Sequence, residues 1–290
     1  KFIILGLVVA LAFASMHPVN EGIVSKIKET ASWTPMEVEN NPFAFMPVEQ
    51  IKAMMGTKLA VAEDNDQSTY EHDAAFDART AWPGKVHSIR NQGACGSCWA
   101  FGATEALSDR FNIEQDIDVV LSPQHLVSCD TGNYGCQGGY LNVAWNFMEN
   151  SGVSTEECYP YTSGDTKVDG ECFTSCTDGS DFELYYATGS STTSNADKTM
   201  AALQADGPVE AAFTVYEDFM SYESGVYKHT TGSMLGGHAI KNVGWGTTED
   251  GQEYWIMANS WGPEWGSKGF FWIEKGDCGI NNQMTFGMAK

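Results

Sequence analysis

The cysteines divide this chain of 290 residues into two unlike parts. All eight lie between residues 95 and 278, whereas residues 16–72 contain none and have little glycine. Between the two parts, residues 62–73 (AEDNDQSTYEHD) form a polar, acidic stretch. Because exposed polar linkers are preferred sites of proteolysis, the sequence predicts an N-terminal segment that is cut away from the cysteine-bearing part.

The first residues have the pattern of a secretory signal peptide. Lys1 precedes an apolar run over residues 2–13, which the small residues Ala14 and Ser15 follow. The run is shorter than the ~20 apolar residues that span a bilayer, although an uncleaved signal anchor is an alternative. We therefore expect a signal peptide over residues 1–15, a propeptide over residues 16–73, and disulfide bonds formed in the secretory pathway.

The cysteine-bearing part changes from helical to strand patterns along its length. Residues 99–113 have apolar side chains at helical spacing, Ser122-Pro123 is typical of a helix start, and residues 140–149 indicate another helix. After residue 180, aromatic and alternating runs predict strands. These runs are residues 209–215, 239–245, 254–261 and 269–273. Helices followed by strands predict an α+β fold, arranged in two lobes.

The overall charge excludes one class of partner. The formal net charge is −22, with only 16 lysines and arginines. Phosphate backbones would be repelled by such a surface, so nucleic-acid binding is not expected. The hydrophobic content of 42% is sufficient for a substantial core rather than a disordered chain.

One cysteine stands where a helix begins. The segment Gln92-Gly-Ala-Cys-Gly-Ser-Cys98-Trp99 immediately precedes the first helical pattern. The positive end of a helix dipole favours thiolate over thiol, which makes Cys98 a candidate nucleophile. The alternative is a CxxC redox or zinc site formed by Cys95 and Cys98, but the chain has no second close CxxC pair with a fitting histidine.

The residues around Cys98 resemble the papain family of cysteine proteases, in its cathepsin B branch, whose signature is Cys-Gly-Ser-Cys-Trp. Further similar segments follow in order over residues 74–290. They are Phe76-Asp-Ala-Arg79, Glu105-Ala-Leu-Ser-Asp-Arg110, Gly135-Cys-Gln-Gly-Gly139, Gly207-Pro-Val-Glu210, Gly236-Gly-His-Ala-Ile240, Asn259-Ser-Trp-Gly262 and Cys278-Gly-Ile280. The resemblance implies a papain-like peptidase domain over residues 74–290, with a helical left lobe, a β-barrel-like right lobe and the active-site cleft between them.

The resemblance also implies roles for individual residues. Cys98 would attack the peptide carbonyl as a thiolate, its pKa held at roughly 3–4 by the imidazolium of His238, which acts as base and acid. Asn259 would orient that imidazole, and Trp261 would shield the bond between them. Gln92 would complete the oxyanion hole with the Cys98 N–H.

Two glycines are implied to bind the substrate. Gly138 and Gly139 would pair with its backbone, because glycine permits close approach.

The sequence departs from the cathepsin B pattern at two places. No histidine occurs between His125 and His229, so the disulfide-closed occluding loop with its adjacent histidines is absent or vestigial. We expect endopeptidase activity with weak or absent carboxydipeptidase activity. The acidic residue implied at the bottom of the S2 pocket is Gln283 here, so we expect an apolar residue at P2, the second position before the scissile bond.

The resemblance further implies the disulfides Cys95–Cys136, Cys129–Cys172 and Cys158–Cys176, with Cys98 and Cys278 free. In the N-terminal part, His17-Pro, Trp33, Asn41-Pro-Phe and Met55-Gly-Thr57 resemble the short cathepsin B propeptide. Met55–Thr57 would lie across the cleft in reverse and block Cys98 until cleavage within residues 62–74, which acid would favour.

The expected protein is a monomer that acts on protein or peptide substrates, without metal or cofactor. Its expected location is a lysosome-like vesicle or the exterior, with no membrane span in the mature form, and cystatin-like inhibitors are candidate partners. Two alternatives stand beside this interpretation. An inactive relative would have lost Cys98, His238, Asn259 or Gln92, all of which are present, and a disulfide-rich binding module would not explain their occurrence together in family order.

Overall fold

The structure is a computed structural model that describes residues 17–64, 66 and 68–290. The predicted signal peptide over residues 1–15 lies outside the described residues. The α-helices are α1 (Glu21–Thr30), α2 (Val48–Ala53), α3 (Ala78–Ala81), α4 (Cys98–Gln115), α5 (Pro123–Cys129), α6 (Leu141–Asn150), α7 (Ser163–Thr166) and α8 (Ala196–Asp206). The strands are β1 (Thr34–Pro35), β2 (Phe76–Asp77), β3 (Ala187–Thr193), β4 (Val209–Tyr216), β5 (Tyr222–Ser224), β6 (Val226–Tyr227), β7 (Met234–Thr247), β8 (Glu253–Ala258), β9 (Phe270–Glu274) and β10 (Met284–Ala289).

The predicted elements of the cysteine-bearing part are present. Helix α4 extends the predicted helix over residues 99–113 by one residue before it and two after it. At the start of α5, the Ser122 side chain accepts a hydrogen bond from the His125 N–H, and Pro123 occupies the first helical position. Both features satisfy or remove donors that a helix N-terminus leaves unpaired, which explains why the helix begins there.

The strands form one large sheet in the order β3-β10-β4-β7-β8-β9-β6, with β2 also paired to β7. The long strand β7 lies at its centre and pairs antiparallel with β4 and β8. The two ends of this path, β3 and β6, do not pair with each other in the described part of the chain. The lobe predicted to be barrel-like is therefore an open sheet. Its last strand, β6, has only two residues.

Two hydrophobic cores define the two lobes. One lies among α4, α5 and α6 and includes Trp99 and Trp145, and the other lies on the large sheet and includes Trp245 and Trp255. A small cluster of buried residues joins them, made of Cys98, Leu141, Ala212 and Ala239. The start of α4 therefore meets the middle of β4 and β7 at the boundary between the lobes.

The three disulfides all lie in the helical lobe or its loops. They join Cys95 to Cys136, Cys129 to Cys172 and Cys158 to Cys176, the pairs that the resemblance implies. They close loops of 41, 43 and 18 residues, which reduces the conformational entropy of the unfolded chain. Cys98 and Cys278 are free.

The N-terminal segment packs on the sheet lobe and shares its core. Trp33 lies against Tyr222 and Tyr227, at ring-centroid distances of 6.0 and 5.2 Å, and its indole N–H donates to the Lys228 carbonyl at 2.9 Å. Strand β1 adds to the edge strand β5, where the Met36 N–H donates to the Ser221 carbonyl at 2.6 Å. Residues 17–61 are thus a docked part of the fold.

Candidate active site

Cys98 is the first residue of α4 and is fully buried. The position results from the turn before it, where Ser97 begins the helix without a side-chain cap of its own. Backbone groups of Ala239, Gly56 and Trp99 lie against the thiol. Ala239 directly follows His238 on β7, so the helix start and the central strand bring these two candidate residues to one place.

His238 and Asn259 form a buried pair. The His238 Nε2 lies 2.7 Å from the Asn259 Oδ1, which also accepts from the Ser260 N–H at 2.8 Å. The carbonyl oxygen can only accept, so Nε2 carries the proton, and in the neutral ring Nδ1 is the basic atom. Nδ1 is buried and has no hydrogen-bond partner among the described residues. The imidazole is therefore held in the tautomer that can take a proton at Nδ1.

Trp261 covers this pair. Its indole stacks on the His238 ring at 4.7 Å with an interplanar angle of 29°. Phe43, from the N-terminal segment, also contacts the indole, edge-on with a ring-centroid distance of 5.3 Å. The indole excludes water from the hydrogen bond between His238 and Asn259, which strengthens that bond.

Gln92 is held rigidly, and one of its donors is occupied by the N-terminal segment. Its Oε1 accepts from the Ser260 hydroxyl at 2.8 Å. Its Nε2 donates to the carbonyls of Cys95 and Met54, both at 2.9 Å. Removal of residues 16–73 would free the second donor in a fixed direction, as an oxyanion hole requires.

The N-terminal segment crosses the site directly over the thiol. The Thr57 hydroxyl lies 3.1 Å from the Cys98 Sγ. The Thr57 N–H donates to the Gly237 carbonyl at 3.0 Å, and the Lys58 N–H donates to the Gly139 carbonyl at 2.9 Å. Both pairings are parallel. A hydroxyl, rather than a peptide carbonyl, therefore faces the sulfur.

The two glycines of the left wall leave no room for a side chain, Gly138 because of the Gly56 backbone and Gly139 because of the Trp99 and Asn133 side chains. Gly139 donates to the Gly56 carbonyl at 2.8 Å. A Cβ on Gly138 would lie 2.0 Å from the same oxygen, and Gly138 has a φ of 107°. No side chain fits between these two backbones.

The expected thiolate–imidazolium pair is not the state of this covered site. Burial raises the pKa of the Cys98 thiol above its ordinary value, and it lowers the pKa of His238 to about 4 although the Asn259 hydrogen bond opposes that shift. The depressed Cys98 pKa concerns the uncovered enzyme and stays a prediction, because in this covered site residues 54–57 exclude the water that would stabilise both charges.

Gln283 is buried below residues that follow Thr57. Its Oε1 accepts from the Ala60 N–H at 3.1 Å. Beside it, a cavity of about 240 Å³ is bounded by Leu59 on one side and by Ala212, Thr214 and Cys278 on the other. The lining of this cavity is mostly apolar and contains no acidic side chain, and Gln283 is not among the residues that line it.

One site residue, Tyr161, carries no signal that pattern alone could interpret, whereas two others stand inside segments already singled out in the sequence. Tyr161 donates its hydroxyl to the Gln92 carbonyl at 2.8 Å and contacts the Ser97 hydroxyl at 2.6 Å. Ser260, which fixes both Gln92 and Asn259, stands inside the segment Asn259-Ser-Trp and was open to inference from it. Gly237 precedes His238 in the same way.

The described residues hold no cluster of three or more histidine, cysteine or acidic side chains suited to a metal ion. Among the same residues, no helix combines the length and apolarity that crossing a membrane would require.

Comparison with known proteins gives a consistent set of relatives. Residues 72–288 match the papain family of cysteine proteases. The chain is 45% identical over 248 residues to the cathepsin B-like protein CP3 of Giardia intestinalis, covering 83% of this chain and 82% of that protein. It is 43% identical over 277 residues to a gut-specific cysteine proteinase of Caenorhabditis elegans, covering 83% of each.

Solved structures of precursors are similar over almost the whole chain. The procathepsin B S9 of Trypanosoma congolense has a TM-score of 0.85 and 28% identity, with coverage of 94% of this chain and 99% of that one. A recombinant stem bromelain precursor has a TM-score of 0.75 and 28% identity, with coverage of 92% and 87%. The papain-like two-lobed α+β fold is thus shown.

Proposed function

Because the chain belongs to the papain family of cysteine proteases and has cathepsin B-like relatives, we propose that it is a propeptide-inhibited cysteine endopeptidase in which Cys98 is the nucleophile. His238 is the general base and acid, Asn259 its orienting partner, and Gln92 an oxyanion donor. The observation that carries the proposal is the buried bond from His238 Nε2 to Asn259, which leaves Nδ1 without a partner among the described residues, while the adjoining Ala239 backbone lies against the Cys98 thiol.

Catalysis would proceed through an acyl-enzyme. His238 Nδ1 takes the thiol proton, the Cys98 sulfur bonds to the peptide carbonyl carbon, and the oxyanion accepts from Gln92 Nε2 and the Cys98 N–H. The C–N bond then breaks, and the same proton passes to the leaving amine. Water next gives a proton to His238 and its oxygen to the acyl carbon, and the C–S bond breaks to restore the thiol.

We propose that residues 16–73 form the inhibitory propeptide, residues 74–290 the peptidase domain and residues 1–15 a cleaved signal peptide. Two contacts support inhibition: the Thr57 hydroxyl on the sulfur and the Met54 carbonyl on Gln92. A substrate would run in the opposite direction and bring its own carbonyl to both groups. The signal peptide and disulfides favour a lysosome-like vesicle or the exterior as the site of action.

Treatment of the processed protein with an epoxide inhibitor of cysteine proteases tests the proposal. We expect hydrolysis of a protein substrate to stop when one inhibitor molecule is bound, and peptide mapping to place the adduct on Cys98. Cys278 is an internal control, because it is also a free thiol and burial raises its pKa far above the ordinary value. Full hydrolysis by protein whose Cys98 is completely modified would contradict the proposal.

We propose that the protein cleaves internal peptide bonds of its substrates rather than releasing dipeptides from their C-termini. Residues 161–169 carry the short helix α7, which packs on Gly93 and bonds through the Gly164 carbonyl to the Ala94 N–H at 2.9 Å. This segment contains no histidine, so no imidazole pair holds a C-terminal carboxylate. We expect dipeptide release from free C-termini to be much slower than internal cleavage, measured on matched peptides. Comparable rates would show that this assignment is wrong.

An apolar residue is proposed at P2. The cavity beside Leu59 lacks an acidic lining, and Gln283 is neutral, so an arginine would be buried there without a partner charge. A Phe-Arg substrate is expected to be cleaved with a higher kcat/KM than an Arg-Arg substrate.

A matched variant sharpens this prediction. Gln283→Glu supplies a carboxylate of nearly the same size, and the Arg-Arg to Phe-Arg ratio should rise by about tenfold or more, since a hydrogen bond to a charged group is worth ~1.5–3 kcal/mol. A ratio that stays the same in Gln283→Glu would place the P2 side chain elsewhere.

A further inference from the structure

We propose that Tyr161 is a positioning residue that holds both donors of the oxyanion hole, the Gln92 side chain and the Cys98 N–H. The inference rests on the proposed endopeptidase function and concerns how the same site is kept in place. It starts from the Tyr161 hydroxyl, which lies 2.8 Å from the Gln92 carbonyl and 2.6 Å from the Ser97 hydroxyl. One hydroxyl therefore contacts the residue that supplies the first donor and the residue that immediately precedes the second.

The groups themselves fix the direction of these two hydrogen bonds. A carbonyl oxygen only accepts, so the single proton of the Tyr161 hydroxyl is donated to Gln92. The Ser97 hydroxyl then donates to the Tyr161 oxygen, which gives a chain from Ser97 through Tyr161 to Gln92. Burial raises the pKa of Tyr161 above its ordinary value, so the hydroxyl keeps its proton at acidic and neutral pH. Hydrogen bonds in such a chain polarise and strengthen one another.

Ser97 links this chain to the second donor. A serine just before a helix usually caps it by accepting from one of the first helical N–H groups, but Ser97 makes no such bond at the start of α4. Ser97 is fully buried, and its hydroxyl is bound to Tyr161 instead. The N–H of Cys98 belongs to the planar peptide unit that follows Ser97, so holding Ser97 in place also holds the direction of that N–H.

A separate set of contacts fixes the Tyr161 ring. The Tyr161 N–H donates to the Glu156 Oε1 at 2.9 Å, and the Glu156 carboxylate lies 2.7 Å from the Arg90 guanidinium. The Tyr161 ring meets Phe101 of α4 edge-on at a centroid distance of 4.7 Å, and the Arg90 guanidinium lies 5.0 Å from the centre of the same Phe101 ring. All these residues belong to the proposed peptidase domain, so the arrangement does not require the N-terminal segment.

Such a chain matters most when charge develops on the substrate oxygen. Donors stabilise an oxyanion best when they already point at the place that it will occupy. Without the Tyr161 hydroxyl, the Gln92 carbonyl and the Ser97 hydroxyl lose this partner, and both donors become less well held. We expect the transition state to lose more than the bound substrate does, because the transition state uses the donors more strongly.

Tyr161→Phe tests the role, because it removes the hydroxyl and keeps the ring on Phe101. Its kcat/KM for an internally quenched peptide, per active site titrated with the epoxide inhibitor, should fall about ten- to hundredfold, since misplacement by ~1 Å can cost ~10²-fold.

The diagnostic readout is a pair of peptide inhibitors that end in an aldehyde or in the corresponding alcohol. The Cys98 sulfur bonds to the aldehyde carbon, and the aldehyde oxygen takes the thiol proton and lies in the oxyanion hole. The alcohol cannot form this adduct. In Tyr161→Phe the affinity for the aldehyde should fall by a factor similar to that of kcat/KM, whereas the affinity for the alcohol should not change.

Two further variants assign the effect to the hydroxyl chain. Ser97→Ala breaks the chain at its other end and should give the same pattern. The double variant should lose about as much as the larger single loss, because both changes break one chain. Tyr159→Phe is the matched control, since Tyr159 is two residues away and donates its hydroxyl to the Glu171 carbonyl rather than to Gln92 or Ser97. It should leave the rate and both affinities unchanged.

The outcomes separate this role from the proposed function. If Tyr161→Phe cleaves the peptide and binds the aldehyde as well as wild type, or loses aldehyde and alcohol affinity equally, the positioning role is overturned while Cys98-dependent cleavage continues. An equal loss in Tyr159→Phe would also overturn it, because the effect would then belong to the whole segment. Wild-type protein without Cys98-dependent cleavage of any peptide would overturn the proposed function together with this inference.

Discussion

Replacing Cys98 by alanine is expected to lower kcat/KM for peptide hydrolysis by about 10⁴-fold or more, because no acyl-enzyme can then form and binding alone gives little catalysis. The precursor should also stop processing itself within residues 62–74. The measurement compares wild-type and Cys98→Ala precursors, each kept free of other proteases, by hydrolysis of an internally quenched peptide and by the mass of the processed chain.

The folded state of the variant needs its own control. Alanine is smaller than cysteine and lies in the cluster of Leu141, Ala212 and Ala239, so we expect only a modest loss of stability. Thermal unfolding and the count of free thiols, reduced from two to one, report on the fold without using activity. A folded Cys98→Ala precursor that still processes itself, or that hydrolyses the peptide within tenfold of wild type, would remove Cys98 from the nucleophile role.

The helix start at Cys98 shows what pattern alone can predict. The helical spacing after Trp99 and the cap at Ser122 are local, so they could be predicted from a few neighbouring residues. The order of strands in the sheet could not, because β3 pairs with β10 across nearly a hundred residues of sequence. The open path of the sheet is consistent with a lobe that is barrel-like without being a closed barrel.

The protonation state of Cys98 and His238 is a second property that the sequence alone does not predict. The residues themselves could be named from their segments, but their charge depends on whether water reaches them. Thr57, which is 41 residues away in sequence, is buried on the thiol and sets that environment. A prediction from the segment around Cys98 describes the uncovered enzyme, and the structure describes the covered precursor.

Hydrogen bonds made by the linker over residues 62–73 bear on how the N-terminal segment is released from the active site. Hydrogen bonds from Thr193 and Asp66 lower the pKa of Asp64, and hydrogen bonds from Ser68 and Tyr70 lower that of Asp66. Since both carboxyls have depressed pKa values in the folded state, their contribution is present above the ordinary value of 3.8 and is lost only as the pH falls through the lowered values. Mild acid alone should therefore leave these two contacts intact.

Cutting the folded precursor within residues 62–73 and separating the fragments is expected to raise peptidase activity by about 10³-fold or more, since a linked inhibitor acts at an effective concentration in the millimolar range.

The isolated segment added back should inhibit the peptidase domain in trans. Its Trp33→Ala form should bind about 10²-fold more weakly or worse, because a buried aromatic truncated to alanine typically costs ~3–5 kcal/mol. Phe45→Ala is the matched control: the same segment loses an aromatic ring that is 97% exposed, so the inhibition constant should not change. Equal inhibition by the Trp33→Ala and Phe45→Ala segments would show that docking on Tyr222 and Tyr227 does not hold the cover in place. Precursor that is as active as the separated domain would show that residues 54–57 do not block Cys98.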